Sequence, residues 1–326
     1  MIYLEEYTYN RGKTAFDASR LVQEVFYENP WQRMLEVQRA KGVNAFIISH
    51  EVFPESFYRA LNPGTLLVRL GVGYDSVPIE LCRERGILVA NTPNTLNQSV
   101  AEHAMAMLAS FSRHIIAHDK AMRAGEWSPQ MAEQLSGKTL AIIGFGGIGR
   151  SVATIAKQGY GMRVVAFGRN EEANKGFSHL FDHFTTNLEA AVQDADCITI
   201  HLNLNPSTEK IITYDLLKTC KKELVLVNTA RGGVVDEQGL YRALTDGTIA
   251  GACLDVFAAE PYVPIQGCDL RQLSNVIMSP HVASHTTTAN MQMAQSAIQT
   301  IKWFAQGEME KLPIVPELRG LVGKQV

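Results

Sequence analysis

The sequence predicts an α/β protein with parallel sheets, and two patterns carry that prediction. Short apolar runs alternate with helix-like segments along the chain, which is typical of parallel strands joined by crossover helices. One such run, at 139–143, leads directly into the pattern Gly144-x-Gly146-x-x-Gly149 and a helix-like segment at 150–158. The length of 326 residues favours two domains.

The glycine turn after the strand at 139–143 predicts a dinucleotide site. Gly144 permits a tight turn, Gly146 lets the backbone approach a pyrophosphate, and Gly149 lets the helix pack close to the strand. Gly147 and Ile148 lie between them, where the N–H groups of a helix start face an anion. Any sharp strand-to-helix turn can use glycine, so the second strand predicted at 163–167 is needed to support this interpretation.

The end of the strand at 163–167 indicates which nicotinamide cofactor is used. An acidic residue there would hydrogen-bond the ribose hydroxyl of NAD, but the position holds Gly168. Arg169 offers instead a charge-assisted partner for a 2′-phosphate. We therefore expect NADP, with NAD as the alternative because Glu171 or Glu172 could swing back toward the ribose.

Residues 1–99 are expected to form a first α/β unit, with a strand within 1–9, helices over most of 15–41 and strands at 44–49, 65–69 and 87–90. Two glycines follow the strand at 65–69, and the amides of Val72 and Gly73 would form a nest suited to a carboxylate. An ordinary turn that needs positive φ is the alternative. Arg69 is a candidate contact for an anionic substrate, or else a surface charge.

The middle of the chain continues the alternation. A single helix is predicted at 99–122, with a capping box formed by Ser99 and Glu102. Trp127 follows it and is either a subunit contact or a locally packed side chain. Strands are predicted at 197–202, 224–228, 249–254 and 275–278, each followed by polar residues. In open parallel sheets, ligands bind at that rim.

Three of these polar residues, Arg231, Glu260 and His281, form the candidate catalytic set. Hydride transfer to a ketone develops negative charge on its oxygen, so a positive group and a proton donor are needed there. Arg231 can bind a carboxylate and polarise the adjacent carbonyl. His281 can give or take the proton, and Glu260 can stabilise the imidazolium and fix its orientation. Each has an ordinary structural explanation alone, but together on one rim they favour catalysis.

Composition and motifs exclude other function classes. A net charge of -3 argues against a nucleic-acid or membrane surface. No apolar run reaches membrane-spanning length and no signal peptide is evident, so we expect a cytoplasmic protein. The five scattered cysteines indicate reduced thiols. His281 and His285 have the spacing of a zinc pair, but Val282 replaces the metalloprotease glutamate and no third ligand is evident, so no metal is expected.

Several blocks in a fixed order resemble the D-isomer-specific 2-hydroxyacid dehydrogenase family over nearly the whole chain. They lie at 71–75, 91–93, 100–102, 135–149, 228–232, 254–261 and 279–283. The resemblance implies a catalytic triad of Arg231, Glu260 and His281, and it implies that Val72 and Gly73 hold the substrate carboxylate. It also implies that Asp255 lies near the nicotinamide amide and that further residues line the cofactor: Val100, Leu202, Thr208 and Thr229.

The resemblance also implies an architecture. A Rossmann-type cofactor domain would occupy 100–287, and a smaller flavodoxin-like substrate domain would combine 1–99 with 288–326. Both would be doubly wound parallel sheets, and the protein would be a homodimer that associates through the cofactor domain. The implied function is hydride transfer between NADP(H) and a small D-2-hydroxyacid or 2-ketoacid, with proton transfer by His281.

The subgroup stays open. Gly168-Arg169 looks like the NADP-using glyoxylate/hydroxypyruvate reductases, whereas Arg69 looks like the phosphoglycerate-dehydrogenase branch. Asn203 stands where many members of the family have proline. An NAD-dependent phosphoglycerate-type dehydrogenase is therefore a second enzyme hypothesis. A nucleotide-sensing binding protein related to the corepressors of this fold is the non-enzyme hypothesis, but an intact Arg–Glu–His set is unnecessary for sensing.

Overall fold

The computed structural model describes residues 1–322 and divides them into two compact units. The first unit comprises Met1–Leu96 with the described residues from His285 onward, and the second comprises Asn97–Ser284. The family resemblance predicts the junctions at 99/100 and 287/288. The assignment of one unit to substrate and the other to cofactor stays a prediction.

A five-stranded parallel sheet forms the centre of the first unit. Its strands are β1 (Ile2–Glu5), β2 (Val22–Phe26), β3 (Ala45–Ile48), β4 (Leu66–Arg69) and β5 (Leu88–Ala90). The helices in the Met1–Leu96 part of this unit are α1 (Glu6–Arg11), α2 (Lys13–Ser19), α3 (Pro30–Lys41), α4 (Glu55–Ala60) and α5 (Ile79–Arg85). The strand order β2-β1-β3-β4-β5 is that of flavodoxin-like folds, as predicted.

The prediction of helix over most of 15–41 is wrong at β2. Arg20 ends α2 in the left-handed conformation, and Val22–Phe26 then pairs in parallel with β1. The strand is only half-buried at the edge of the sheet. Its apolar residues therefore do not form the continuous run that marks a central parallel strand.

A seven-stranded parallel sheet forms the second unit. Its strands are β6 (Thr139–Ile143), β7 (Arg163–Phe167), β8 (His183–Thr185), β9 (Cys197–Ile200), β10 (Val225–Asn228), β11 (Gly251–Leu254) and β12 (Val276–Met278). Its helices are α6 (Asn97–Ser112), α7 (Ile115–Arg123), α8 (Gly147–Tyr160), α9 (Leu188–Val192), α10 (Tyr214–Leu217) and α11 (Glu237–Thr245).

The order of this sheet is β12-β11-β10-β9-β6-β7-β8. Six of these strands, counted from β6, follow the doubly wound order of dinucleotide-binding folds, and β12 extends it at the edge. The order reverses at β6, so the glycine turn lies at the topological switch point. The side chains of β6 are buried, with Leu140 and Ile142 in one apolar cluster and Ala141 and Ile143 in the other. Fully burying each isoleucine stabilises the fold by about 1.5–3 kcal/mol.

The predicted single helix at 99–122 is two helices. His114 adopts a left-handed conformation with φ 53° and separates α6 from α7. α6 begins at Asn97, so the predicted capping box at Ser99 is also wrong. α6 packs against the sheet, where Gly251 leaves room for the ring of Phe111: a Cβ at Gly251 would lie 2.1 Å from that ring. The residues of α7 are not buried.

The chain returns to the first unit in α12 (Thr287–Ala305). Met293, Ala297 and Ile301 lie on its buried face, at the four-residue spacing of an amphipathic helix. This helix contacts α2 and β4. Within residues 1–322, none of the helices has the length and apolar character needed to cross a bilayer.

Candidate active site

The glycine turn between β6 and α8 has the geometry of an anion-binding helix start. Gly144 has φ +106°, and a Cβ there would lie 2.6 Å from the His201 carbonyl oxygen. A Cβ at Gly149 would lie 2.3 Å from the Gly144 carbonyl oxygen. Packing of the chain on itself therefore requires these two glycines. A Cβ at Gly146 would meet nothing within 4 Å, so this residue faces open space.

The start of α8 fits a cofactor phosphate. The helix begins at Gly147, three residues before the segment predicted from sequence, and Gly146 is its N-cap without a side-chain hydrogen bond. The N–H groups of Gly147 and Ile148 thus lie in the first turn, where backbone donors and the helix dipole attract an anion. The open space over Gly146 fits the approach of a pyrophosphate to these donors.

Within residues 1–322, two buried polar atoms that follow neighbouring strands of this sheet lack hydrogen-bond partners: Thr229 Oγ1 after β10 and His201 Nδ1 after β9. Leaving such an atom unsatisfied costs about 1–3 kcal/mol, so both atoms fit a site completed by a polar ligand. Burial lowers the pKa of His201 to about 3, so its ring is neutral. Its Nε2 lies 3.0 Å from Thr199 Oγ1.

Sequence reasoning did not select His201, although it directly follows a buried strand as Thr229 does. The other predicted cofactor residues lie on elements of the same unit. Val100 is buried on α6, Leu202 is half-buried after β9, and Thr208 donates through Oγ1 to the Asn203 carbonyl over 2.6 Å. Their contact with a cofactor stays a prediction.

The end of β7 carries Gly168 and Arg169, as the sequence indicates. A Cβ at Gly168 would lie 3.0 Å from the ring of Phe184, so close aromatic packing limits larger side chains at this position. Arg169 is exposed. Glu172, one of the two carboxylates that could swing back toward a ribose, is in an ion pair with Lys175.

Arg231 follows β10 in a turn held by Asn228. Asn228 Oδ1 accepts a hydrogen bond from the Ala230 amide over 3.0 Å, and Asn228 Nδ2 donates to the Arg231 carbonyl over 2.9 Å. A Cβ at Gly232 would lie 1.9 Å from the Phe257 carbonyl carbon. The backbone after Arg231 therefore packs directly on the segment that leads to Glu260.

Glu260 and His281 form a close pair. His281 Nδ1 lies 2.6 Å from Glu260 Oε2, and the Phe257 amide donates to Glu260 Oε1 over 3.0 Å. The side chains of His281 and Glu260 are 43% and 35% exposed. Because Nδ1 faces the carboxylate, Nε2 is the ring nitrogen that can exchange a proton with a substrate.

The electrostatics keep Glu260 ionised. Burial raises the pKa of its carboxyl group, but the hydrogen bond and charge of His281, the Phe257 amide and the charge of Arg231 more than offset this. The pKa of Glu260 therefore lies below its ordinary value. An anionic Glu260 stabilises a protonated imidazole and fixes its orientation. The Glu260–Pro261 peptide bond is cis.

His281 lies in a turn that Asp255 holds. Asp255 is fully buried, its main-chain oxygen accepts from the His281 amide over 2.8 Å, and its carboxylate accepts from the amides of Val282 and Ala283, each over 2.9 Å. His281 has φ 52°. The Asp255 side chain was predicted to lie near a nicotinamide amide, and that contact stays a prediction. Among residues 1–322, no group of three or more metal-ligating side chains is assembled.

The candidate substrate residues Arg69, Val72 and Gly73 lie in the first unit, after β4. Arg69 is 8% exposed, and its Nη1 donates to the Leu70 carbonyl. The glycine turn has positive φ at Gly71, and Asn91 Nδ2 donates to the Val72 carbonyl over 2.8 Å. The carboxylate nest at Val72 and Gly73 stays a prediction.

Residues 105–283 match the family model of the D-isomer specific 2-hydroxyacid dehydrogenase, NAD binding domain. The chain belongs to this family. It is 34% identical over 306 residues to the glyoxylate reductase of Pyrococcus furiosus, covering 89% of each chain. The predicted enzyme class is therefore confirmed: this dehydrogenase is an NAD(P)-dependent oxidoreductase.

Two further similarities bear on the subgroup. The dehydrogenase is 36% identical over 261 residues to the chloroplastic D-3-phosphoglycerate dehydrogenase 2 of Arabidopsis thaliana, covering 79% of this chain and 41% of that relative. It is also similar to the solved NADPH-dependent glyoxylate/hydroxypyruvate reductase of Sinorhizobium meliloti in complex with NADP and malonate. That similarity has a TM-score of 0.83 at 26% identity and covers 97% of each chain. The predicted two-domain Rossmann-type fold is confirmed.

Proposed function

We propose that this dehydrogenase reduces small 2-ketoacids, glyoxylate and hydroxypyruvate among them, with NADPH. The observation that carries the proposal is the 2.6 Å pair of His281 and Glu260 in the unit that also holds Arg231 and the glycine turn. The similarity to glyoxylate reductases supports the substrate class.

The side chains have complementary roles in this reaction. When bound, NADPH supplies the hydride to the carbonyl carbon. Arg231 pairs with the substrate carboxylate through its planar guanidinium and polarises the carbonyl. His281 donates the Nε2 proton to the carbonyl oxygen as negative charge develops there. Glu260 accepts from Nδ1 and compensates the positive charge of the protonated ring, which becomes neutral when it donates its proton in reduction and regains a proton from the substrate hydroxyl in oxidation.

NADP specificity rests on the end of β7. Gly168 supplies no carboxylate to repel a 2′-phosphate, and the exposed Arg169 supplies a guanidinium that can pair with it. Glu172 is the second of the two carboxylates that could reach the ribose, and its ion pair with Lys175 restrains it. Comparing kcat/KM for NADPH and NADH tests this assignment, and a strong preference for NADH would contradict it.

A panel of ketoacids tests the proposed substrate. Purified protein with NADPH is expected to consume the reduced nicotinamide absorbance with glyoxylate and hydroxypyruvate. Replacing His281 by Ala should slow turnover far more than it weakens NADPH binding, because the ring acts in proton transfer. Equal losses of turnover and cofactor affinity would contradict that role.

The second candidate is an NAD-dependent phosphoglycerate-type dehydrogenase, supported by Arg69 and by the Arabidopsis relative. The burial of Arg69 and its bond to the Leu70 carbonyl favour the first candidate, since part of its donor capacity is already used. Including 3-phosphohydroxypyruvate in the panel separates the two. Preferential use of that substrate with NADH would favour the second candidate.

The proposal includes a homodimer formed through the second unit, as the family resemblance implies. The residues of α7 are not buried, and beyond it Trp127 and Met131 are 84% and 95% exposed. Large apolar side chains in an exposed segment of this kind mark an association surface. Sedimentation should show a dimer that Trp127→Glu weakens. A monomeric wild-type protein would contradict this part of the proposal.

A further inference from the structure

A second histidine lies behind the turn that carries His281. His103 is on α6, and its side chain is 26% exposed. Its Nε2 is 3.0 Å from Ser279 Oγ and 3.5 Å from Asp255 Oδ1. Ser279 Oγ is in turn 2.5 Å from Asp255 Oδ1. His103, Ser279 and Asp255 thus form one connected set, which we name the turn anchor.

Hydrogen bonding assigns a direction to the turn anchor. Burial raises the pKa of the Asp255 carboxyl, but the nearby His103 ring, the Ser279 hydroxyl and two backbone amides more than offset this, so the pKa lies below its ordinary value. An ionised carboxylate only accepts, so Ser279 donates its single hydroxyl proton to Asp255. The Ser279 oxygen must then accept from His103. His103 therefore carries a proton on Nε2 and donates it to Ser279, which in turn donates to the Asp255 carboxylate.

The Asp255 carboxylate, at the end of this series of hydrogen bonds, holds the backbone conformation of the turn that carries His281. It accepts from the amides of Val282 and Ala283, while the Asp255 carbonyl accepts from the His281 amide. His281 has φ 52°, a conformation that side-chain-bearing residues adopt only when their surroundings compensate for it. A rotation of the carboxylate would release both amides and let the turn relax.

We propose that His103 is a positioning residue for proton transfer: acting through Ser279, it orients the Asp255 carboxylate and so holds the turn that places His281 on Glu260. His103 exchanges no proton with the substrate in this scheme. The inference rests on the proposed function in one respect, namely that His281 is the proton donor. It adds a residue of α6, distant in sequence, to the machinery of the rim.

Three single variants test the proposal. His103→Leu removes the donor, His103→Gln keeps an N–H that can reach Ser279, and His183→Gln alters an exposed histidine of the same unit as a control. We expect His103→Leu to lower kcat for glyoxylate about 10- to 100-fold, because small misplacements of a catalytic group have effects of this size. KM and NADPH affinity should stay within about twofold. His103→Gln should recover most of the rate.

A double-mutant cycle asks whether His103 acts through Ser279. In a Ser279→Ala background the chain is already broken, so His103→Leu should have little further effect on kcat. Additive losses would overturn the proposal. So would a His103→Gln variant as slow as His103→Leu, or a His103→Leu variant whose loss of activity follows equal losses of NADPH affinity and thermal stability.

A spectroscopic measurement separates this inference from the proposed function. In NMR spectra of protein with ¹⁵N-labelled histidine, the resonance of the His281 Nδ1 proton, which is bonded to Glu260, should shift in His103→Leu. It should keep its position in His183→Gln. This readout needs no turnover. If the wild-type protein reduces no ketoacid, the proposed function fails while the resonance still reports on positioning. An unchanged His281 resonance in His103→Leu would overturn the inference even in an active enzyme.

Discussion

Replacing Glu260 by Gln removes the negative charge from the His281 pair while keeping the size of the side chain. His281 Nδ1 and Glu260 Oε2 are 2.6 Å apart. A hydrogen bond to a charged group contributes about 1.5–3 kcal/mol, and solvent screening of these half-exposed side chains favours the lower end of that range. A loss of about 1.5–2 kcal/mol from the transition state corresponds to a decrease in kcat of about 10- to 30-fold.

The assay compares kcat, KM and NADPH affinity of wild type and Glu260→Gln, with Glu223→Gln as a matched control at an exposed position. Because the carboxylate stabilises the protonated ring that donates to the substrate, kcat should fall while KM changes little. A Glu260→Gln enzyme within about twofold of wild-type kcat would refute the reasoning. So would a variant whose only defect is a raised KM.

The pH dependence of stability gives the same pair an independent measurement. The pKa of Glu260 is lowered from its ordinary value of 4.5. A carboxyl group with a depressed folded-state pKa stabilises the fold above its unfolded-state pKa, and this contribution disappears as the pH falls through the folded-state pKa. The difference in free energy of unfolding between wild type and Glu260→Gln should therefore be constant near neutral pH and shrink in acid below 4.5. A difference that grows in acid would contradict this.

Three further predictions concern the cofactor and substrate residues. Gly144→Ala should lower the free energy of unfolding by about 1–3 kcal/mol because of its positive φ and the nearby carbonyl, whereas Gly146→Ala should leave stability unchanged and weaken NADPH binding in calorimetry. An unaltered affinity would argue against phosphate approach over Gly146. Arg169→Ala should weaken NADPH binding about tenfold and leave NADH binding unchanged, as expected for one lost charge-assisted contact. Arg231→Lys should lower kcat/KM for glyoxylate by about 100-fold, since a lysine cannot form the two-pronged contact; near-normal kinetics would exclude that contact.

Much of the fold was predictable because local pattern and tertiary environment agree. The apolar run at 139–143 becomes the central strand β6, covered on both faces. Where they disagree, prediction failed. β2 is a half-buried edge strand, and its spacing suits a helix equally well. The break at His114 follows from α6 packing on the sheet while α7 leaves it, which periodicity alone does not reveal.

Some residues of the candidate site were likewise predictable from the sequence, and others were not. Arg231, Glu260 and His281 were selected because each follows a predicted parallel strand, and such ends meet along one rim. His103 was not selected, because it lies within an amphipathic helix where a half-buried histidine is ordinary. His201 was overlooked because the predicted strand at 197–202 included it, whereas β9 ends at Ile200 and His201 follows it.

By itself, the sequence determined the alternation of strands and helices, the glycine turn and the identity of the polar residues after the strands, because those features depend on near neighbours in the chain. Only the tertiary structure decided which nitrogen of His281 faces Glu260 and which side chains hold the turn at His281. Those contacts join α6 to the segments after β11 and β12, and their directions depend on how the helix and strands pack. Hydrogen-bond geometry between residues so distant in the chain has no counterpart in local sequence.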